Sequence, residues 1–294
     1  MYNNKTPVIT IICVDLCKFV ALVVKNENMN IINRNTFIIV TLFMATLLSC
    51  CCQSNTKRNS KESALLPANT LSAKEKADGW QLLFDGKTMN HWRGIGITGI
   101  PENHWKVEDG CIRKIDSGLV PTLPDGQPVK GGDLITDTTF NNFILKFEWK
   151  VAMSSNSGVK YNVIEEYSLK QGMKGALGFE YQVIDDINNK DISKLTHTAA
   201  SLYDLIVTKN KHLKPVGKFN TGMIVFNKNH GEHWLNGVKV VEYQLNSPEF
   251  HELFRNSKYR NYSDFNKHKV ARIALQNHGN DCWFRNIKIK RLKD

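Results

Sequence analysis

Short runs with period-two alternation, each closed by a turn signal, constrain this chain more than any other feature. Trp80–Phe84 ends at Asp85-Gly86, His104–Val107 and Cys111–Ile115 flank Asp109-Gly110, and His233–Leu235 and Val238–Tyr243 flank Asn236-Gly237. Asp-Gly and Asn-Gly tolerate the two positive φ angles of a type I′ turn, so Asp109-Gly110 and Asn236-Gly237 each predict a hairpin. Phe143, Leu145, Phe147 and Trp149 would place four large apolar groups on one face of a strand. Similar runs recur at Val159–Ile164, Phe179–Ile184, Met223–Phe226, Arg272–Leu275 and Trp283–Ile289. Only the stretch near 247–259 reads as a helix, with Ser247 as N-cap, Pro248 at the first position and Phe250, Leu253 and Phe254 as its stripe. Many short strands with little helix predict one all-β domain, an antiparallel sandwich.

The N-terminal part reads differently. Arg34 precedes the apolar run Thr36–Leu48, and Leu47-Leu48-Ser49-Cys50 follows the pattern of a bacterial lipobox. The run is too short for the about 20 residues of a membrane span. The expected order is residues 1–28 as a segment upstream of a start at Met29, 29–49 as a lipoprotein signal, 50–77 as a polar tether and 78–294 as the folded domain. Cys50 would carry the lipid and hold the protein in a bacterial cell envelope, with the periplasmic side favoured. Five of the seven cysteines lie at or before position 52, which leaves Cys111 and Cys282 in the domain. An exported domain permits a bridge between them, but their apolar contexts favour two buried thiols.

The formal charge is +11, with lysines and arginines scattered along the chain rather than clustered. Scattered cations read as solvated faces, and export argues against nucleic acid as partner. No Cys/His spacing of a structural zinc site is present.

One strand-like run breaks the apolar rule. In Gly178-Phe179-Glu180-Tyr181-Gln182-Val183-Ile184-Asp185, Glu180 and Gln182 share a face opposite Tyr181 and Val183. Asp185 has the other parity, and a one-residue bulge would return it to the Glu180 face. Carboxylates are costly to bury without a partner or a task, so this strand predicts the floor of a sugar-binding cleft.

Seven segments, in order, resemble one family. They are Leu83-Phe84-Asp85-Gly86-Lys87-Thr88 with His91-Trp92, Trp105-Lys106-Val107-Glu108-Asp109-Gly110, Asn156-Ser157-Gly158, Phe179 to Asp185, Trp234-Leu235-Asn236-Gly237, Leu275-Gln276-Asn277-His278-Gly279 and Phe284-Arg285-Asn286-Ile287-Lys288-Ile289. The pattern is similar to the 3-keto-disaccharide hydrolases and spans about Asp78 to Leu292. The resemblance implies a concanavalin A-like jelly roll and a glycoside oxidised at C3 as substrate. A separate sugar 3-dehydrogenase would make that substrate.

A 3-keto group acidifies the hydrogen on C2, so the glycosidic bond can break by elimination followed by hydration. The site then needs a base at C2, a group to stabilise the enolate oxygen and an acid at the leaving oxygen. Glu180 is the first candidate for base, Asp185 for acid or for a partner that raises a neighbour's pKa, and His278 for proton exchange near neutral pH. Asn156, Gln182 and Gln276 could hold hydroxyls or the keto oxygen. Tyr203 could line the cleft beside His197, and Trp92, near the glycine-rich 94–99 loop, could serve as a sugar platform. Arg285 could neutralise the enolate or brace Glu180. No cofactor is required, although Glu180, Gln182, Asp185 and His278 could hold a divalent cation.

Two other readings fit the same strand. Glu180-x-Gln182-x-x-Asp185 resembles the Glu-x-Asp-x-x-Glu signature of family-16 glycoside hydrolases, with Gln for the middle acid and a shorter last one. A carbohydrate-binding module without turnover would use the same scaffold.

Overall fold

The computed structural model describes residues 66–293, apart from 117, 125–127, 173–174, 263–264, 266–269 and 279. The signal, Cys50 and the first part of the tether lie outside the described residues. Thirteen strands are described: β1 (Trp80–Leu82), β2 (Trp92–Gly94), β3 (Trp105–Glu108), β4 (Cys111–Lys114), β5 (Leu134–Thr136), β6 (Phe143–Val151), β7 (Asn156–Val163), β8 (Phe179–Ile184), β9 (Asn220–Asn227), β10 (His230–Leu235), β11 (Val238–Gln244), β12 (Arg272–Leu275) and β13 (Cys282–Arg291). They form an antiparallel eight-stranded sheet in the order β11-β10-β9-β6-β13-β4-β3, with β1 also on β13. A five-stranded sheet follows the order β2-β5-β12-β7-β8. The expected all-β sandwich is the observed fold.

The alternating runs build the space between the sheets. Phe143, Leu145, Phe147 and Trp149 of β6 are buried while their neighbours are half-buried. From the other sheet Tyr161, Phe179 and Tyr181 meet them; the Phe147 and Tyr181 rings lie edge to face at 5.2 Å. Tyr161 Oη reaches His233 Nε2 at 2.9 Å and Tyr243 Oη at 2.8 Å, so these three polar tips partner one another. Both hairpin turns form as expected, with positive φ at Asp109, Gly110, Asn236 and Gly237.

Three short α-helices are described beside the sheets: α1 (Ala73–Ala77), α2 (Glu165–Lys170) and α3 (Pro248–Arg255). In α3 the Ser247 side chain accepts from the Phe250 N–H, the cap read from the sequence. α1 lies inside the stretch assigned by composition to the tether. Ser72 and Glu75 close a capping box there, Asn69 exchanges backbone–side-chain hydrogen bonds with Asn286, and Lys288 pairs with Glu75. The folded unit therefore takes in residues before Asp78, because local caps and partners on β13 outweigh a polar composition. Cys111 and Cys282 are both free and buried.

Candidate active site

Sheet register decides which groups share the outer face of the five-stranded sheet. In the β7–β8 pair Lys160 stands opposite Glu180 and Gly158 opposite Gln182. Phe179, Tyr181 and Val183 point into the core, so Glu180 and Gln182 point outward, as the alternation predicts. The Gln276 N–H donates to the Gly158 carbonyl at 2.9 Å, which continues the row from Gln182 to Gln276. Segment 200–203 runs along the free edge of β8 through Ala200 N–H to Gln182 O (2.8 Å), Gln182 N–H to Ser201 O (3.2 Å) and Tyr203 N–H to Glu180 O (3.0 Å). That edge pairing brings Tyr203 and His197 beside the strand, with their rings stacked at 4.4 Å.

Glu180 is 3 % exposed. Gly158 makes room for it: a Cβ there would stand 2.6 Å from Glu180 Oε1. Burial raises the Glu180 pKa, and the Lys160 and Lys258 charges oppose that rise. Lys160 Nζ donates to Asp133 Oδ2 at 3.1 Å and to the Ala176 carbonyl at 3.0 Å. Burial alone would lower the Lys160 pKa, but Asp133 and Glu180 outweigh it and hold the ammonium charged. Asp133 also accepts from the Asn277 N–H at 2.8 Å, so one carboxylate fixes both Lys160 and the loop carrying Gln276 and His278.

The Gln182 amide, with its nitrogen toward the carboxylate, donates to Glu180 Oε1 and to the Ser157 carbonyl, each at 2.9 Å. Asn156 Nδ2 donates to Asp191 Oδ2 at 2.8 Å and lies 3.4 Å from His278 Nε2. His278 Nε2 stands 3.8 Å from the same Asp191 oxygen. Gln276 Oε1 is buried without a hydrogen-bond partner among the described residues, an acceptor that a hydroxyl could satisfy. Glu180, Gln182, Asn156, Gln276 and His278 thus belong to one polar patch, with Tyr203 at its edge. Asn156-Ser157-Gly158 opens strand β7 rather than forming a turn.

Three expected site residues are elsewhere. Asp185 does not rejoin the Glu180 face; its carboxylate accepts from the Ser154, Ile187 and Asn188 N–H groups and from Asn188 Nδ2. Burial alone would raise its pKa, but these hydrogen bonds outweigh burial and hold it below the usual value. Such a carboxylate is a turn clamp and a poor proton donor, and the four residues considered for a cation do not converge. Arg285 stands on the outer face of the other sheet, where Nε donates to Glu148 Oε2 at 2.7 Å. Its register on β13, opposite Glu148, puts the sandwich between it and Glu180. Trp92 is 4 % exposed in the core and donates to the Leu83 carbonyl at 2.7 Å, so it offers no face to a sugar.

Sequence reasoning missed Lys160, Lys258 and Asp133. Lys160 alternates with Val159 and Tyr161 as a solvated lysine would, and Lys258 enters from a loop far along the chain. The one advance signal, for Lys160, was the isolated carboxylate itself, which needs a buried counter-charge.

The chain is similar to known proteins over this whole unit. The family model for the 3-keto-alpha-glucoside-1,2-lyase-like domain matches residues 79–290. A curated relative, a 3-keto-disaccharide hydrolase of Bacteroides thetaiotaomicron, is 35% identical over 252 residues, covering 79% of this chain and 84% of the relative. A crystal structure from Parabacteroides distasonis, provisionally assigned as a glycosyl hydrolase, is 29% identical with a TM-score of 0.68 over 77% of this chain and 100% of that one. A second structure from that organism, at 24% identity and a TM-score of 0.53 over 72% of this chain and 99% of its own, shares the fold. The strand of Glu180 and the loop of Gln276 and His278 both lie within the matched residues, and the chain belongs to the 3-keto-alpha-glucoside-1,2-lyase-like family.

Proposed function

We propose that this protein hydrolyses the glycosidic bond of 3-keto-disaccharides or 3-keto-glycosides, by elimination and then hydration. The observation that carries the reading is Glu180, a buried carboxylate with raised pKa above a glycine, among neutral amides and an imidazole. A base poised toward neutrality suits removal of a C2 proton.

Glu180 takes the C2 proton, and the electron pair moves onto C3 and its oxygen as an enolate. The ketone then re-forms as the C1–O bond breaks, and the leaving oxygen takes a proton from protonated His278. Water adds at C1 and returns its proton to His278, while Glu180 returns a proton to C2. Both groups regain their starting states, and the net change is hydrolysis. Asn156, Gln182 and Gln276 orient hydroxyls without adding charge. The sequence of steps is redox-neutral and calls for no redox cofactor.

The substrate requires an earlier oxidation of a C3 hydroxyl, the work of a separate sugar dehydrogenase. Cys50 is read as the lipidated residue of an envelope protein, and Cys50→Ala should move the full chain from the membrane fraction to the soluble one.

The test is incubation with 3-keto-trehalose and 3-keto-glucosides in deuterium oxide, with and without chelator. Cleavage with deuterium at C2 of the released keto sugar is expected. Cleavage without C2 exchange would leave the elimination route untenable, and cleavage of unoxidised glycosides instead would favour a retaining glycosidase.

A further inference from the structure

One cation in the site is coupled to Glu180 without being bonded to it. Lys258 opens the 3-10 turn Lys258–Asn261, just after α3. Its backbone N–H donates to Asp204 Oδ2 at 2.7 Å. Asp204 is fixed in turn, since Oδ1 accepts from Lys194 Nζ at 3.0 Å and lies 3.0 Å from His197 Nε2. Ser257 Oγ caps the turn by accepting from the Tyr259 N–H at 3.1 Å. The root of the lysine is therefore held firmly.

Its tip rests on aromatic faces. Lys258 Nζ lies 4.0 Å from the Tyr203 ring centroid and 5.1 Å from that of Tyr259. Among the described residues Nζ has no hydrogen bond and no ion pair within 4.0 Å. The residue is exposed, so a ligand can reach it, and its ammonium packs against the two rings. The charges facing it are Glu180 from β8, Lys160 from β7 and Asp204 from the edge segment. Burial pulls its pKa down to about 8, with Glu180 and Asp204 resisting and Lys160 assisting.

The chemistry of the proposed reaction moves a negative charge. Before the step it is on Glu180; afterwards Glu180 is neutral and the charge is on the C3 oxygen. A useful cation must follow that transfer. Lys160 cannot, because Asp133 Oδ2 and the Ala176 carbonyl already hold its ammonium. Lys258 can, because its side chain is anchored only at the root and by ring faces.

Resting on the 3-keto reading above, we propose that Lys258 is a catalytic residue whose ammonium donates to the C3 oxygen as Glu180 removes the C2 proton. The C2–H bond breaks, its proton goes to Glu180, and its electron pair forms C2=C3. The former carbonyl pair settles on oxygen against the Lys258 N–H. No bond forms between lysine and sugar.

Lys258→Met and Lys258→Arg, compared with wild type on 3-keto-trehalose, test this. Lys258→Met should lower both kcat/KM and C2 deuterium exchange by about 10²–10³-fold, the scale of a lost oxyanion donor. Circular dichroism should show an unchanged melting midpoint, because the methionine stem still covers Tyr203. Wild-type kcat/KM should fall as pH rises through about 8, and Lys258→Arg should retain part of the rate and lose that limb. Borohydride added during turnover should leave Lys258 unmodified by mass; a trapped adduct would overturn the non-covalent role. Turnover by wild type with Lys258→Met at full rate removes this role alone. A wild type inert toward every 3-keto-glycoside removes the substrate reading and this role with it.

Discussion

The outer faces of the two sheets use similar residues to opposite ends. On the eight-stranded sheet, Lys146, Glu148 and Lys150 alternate with core residues and stay half-buried. Glu148 meets Arg285 and Asn286, and Lys146 lies over the Trp80 ring. A groove of about 460 Å³ crosses that face, lined by residues such as Lys146, Met223, Trp234 and Lys288. On the five-stranded sheet the polar groups are buried, with Glu180, Gln182, Asn156 and Lys160 all 8 % exposed or less. That groove accompanies ordinary solvated pairs, while the buried face keeps a carboxylate with raised pKa. On the proposed reading, desolvation of charge marks the reactive surface.

Glu180→Gln tests that contrast most severely. It keeps shape and removes the base, and kcat/KM on a 3-keto-glycoside should fall by about 10²–10⁴-fold. In wild type the acid limb of kcat/KM should lie above the usual carboxylate range, because the base must be ionised and its pKa is raised. A limb near pH 4 with full Glu180→Gln activity would place the base elsewhere.

Gly158→Ala sharpens the comparison without replacing any titratable group. The added methyl would stand within 3 Å of Glu180 Oε1, Cγ and Cδ, so the carboxylate must shift. A displacement on the ångström scale should lower kcat/KM by about 10²-fold. Thermal stability should change far less, because the displaced atoms are the flexible end of one side chain.

The contrast was partly legible from residues alone. Asp109-Gly110 and Asn236-Gly237 announce their hairpins through local φ requirements, and the β6 alternation announces the core. Glu180 and Gln182 share a face because strand parity is local. Asp185 was misread because parity cannot distinguish a bulge from a carboxylate turned back to cap its own turn. Arg285 was misread because no local rule says which sheet a strand joins. Lys258 was missed because its approach depends on the Asp204 anchor and the Tyr203 ring, which long-range packing alone brings to β8.

Asp185→Ala should separate a clamp from an acid. It strands three backbone N–H groups, from Ser154, Ile187 and Asn188, at a cost of about 1–3 kcal/mol in unfolding free energy. The folded-state pKa is depressed. Its contribution is therefore present above the unfolded value of about 3.9 and is lost as pH falls through the folded value. Acid unfolding of Asp185→Ala should accordingly show less loss of stability below about pH 4 than wild type. A large fall in kcat/KM with unchanged stability would return Asp185 to the catalytic set.

The smallest effect belongs to Arg285→Ala. Arg285 and Glu148 are 32 % and 21 % exposed, so water screens the pair, and Glu148 keeps its hydrogen bond from Asn286 Nδ2 at 2.7 Å. The arginine also covers Phe219, its Cζ lying 3.8 Å from the ring centroid, so part of any loss is packing. Chemical denaturation should register a loss of about 0–1 kcal/mol, with kcat/KM unchanged. The comparison turns on this last measurement as much as on the first. A marked loss of activity without loss of stability would mean that the solvated face communicates with Glu180 through the core, and that desolvation of charge does not by itself mark where the chemistry occurs.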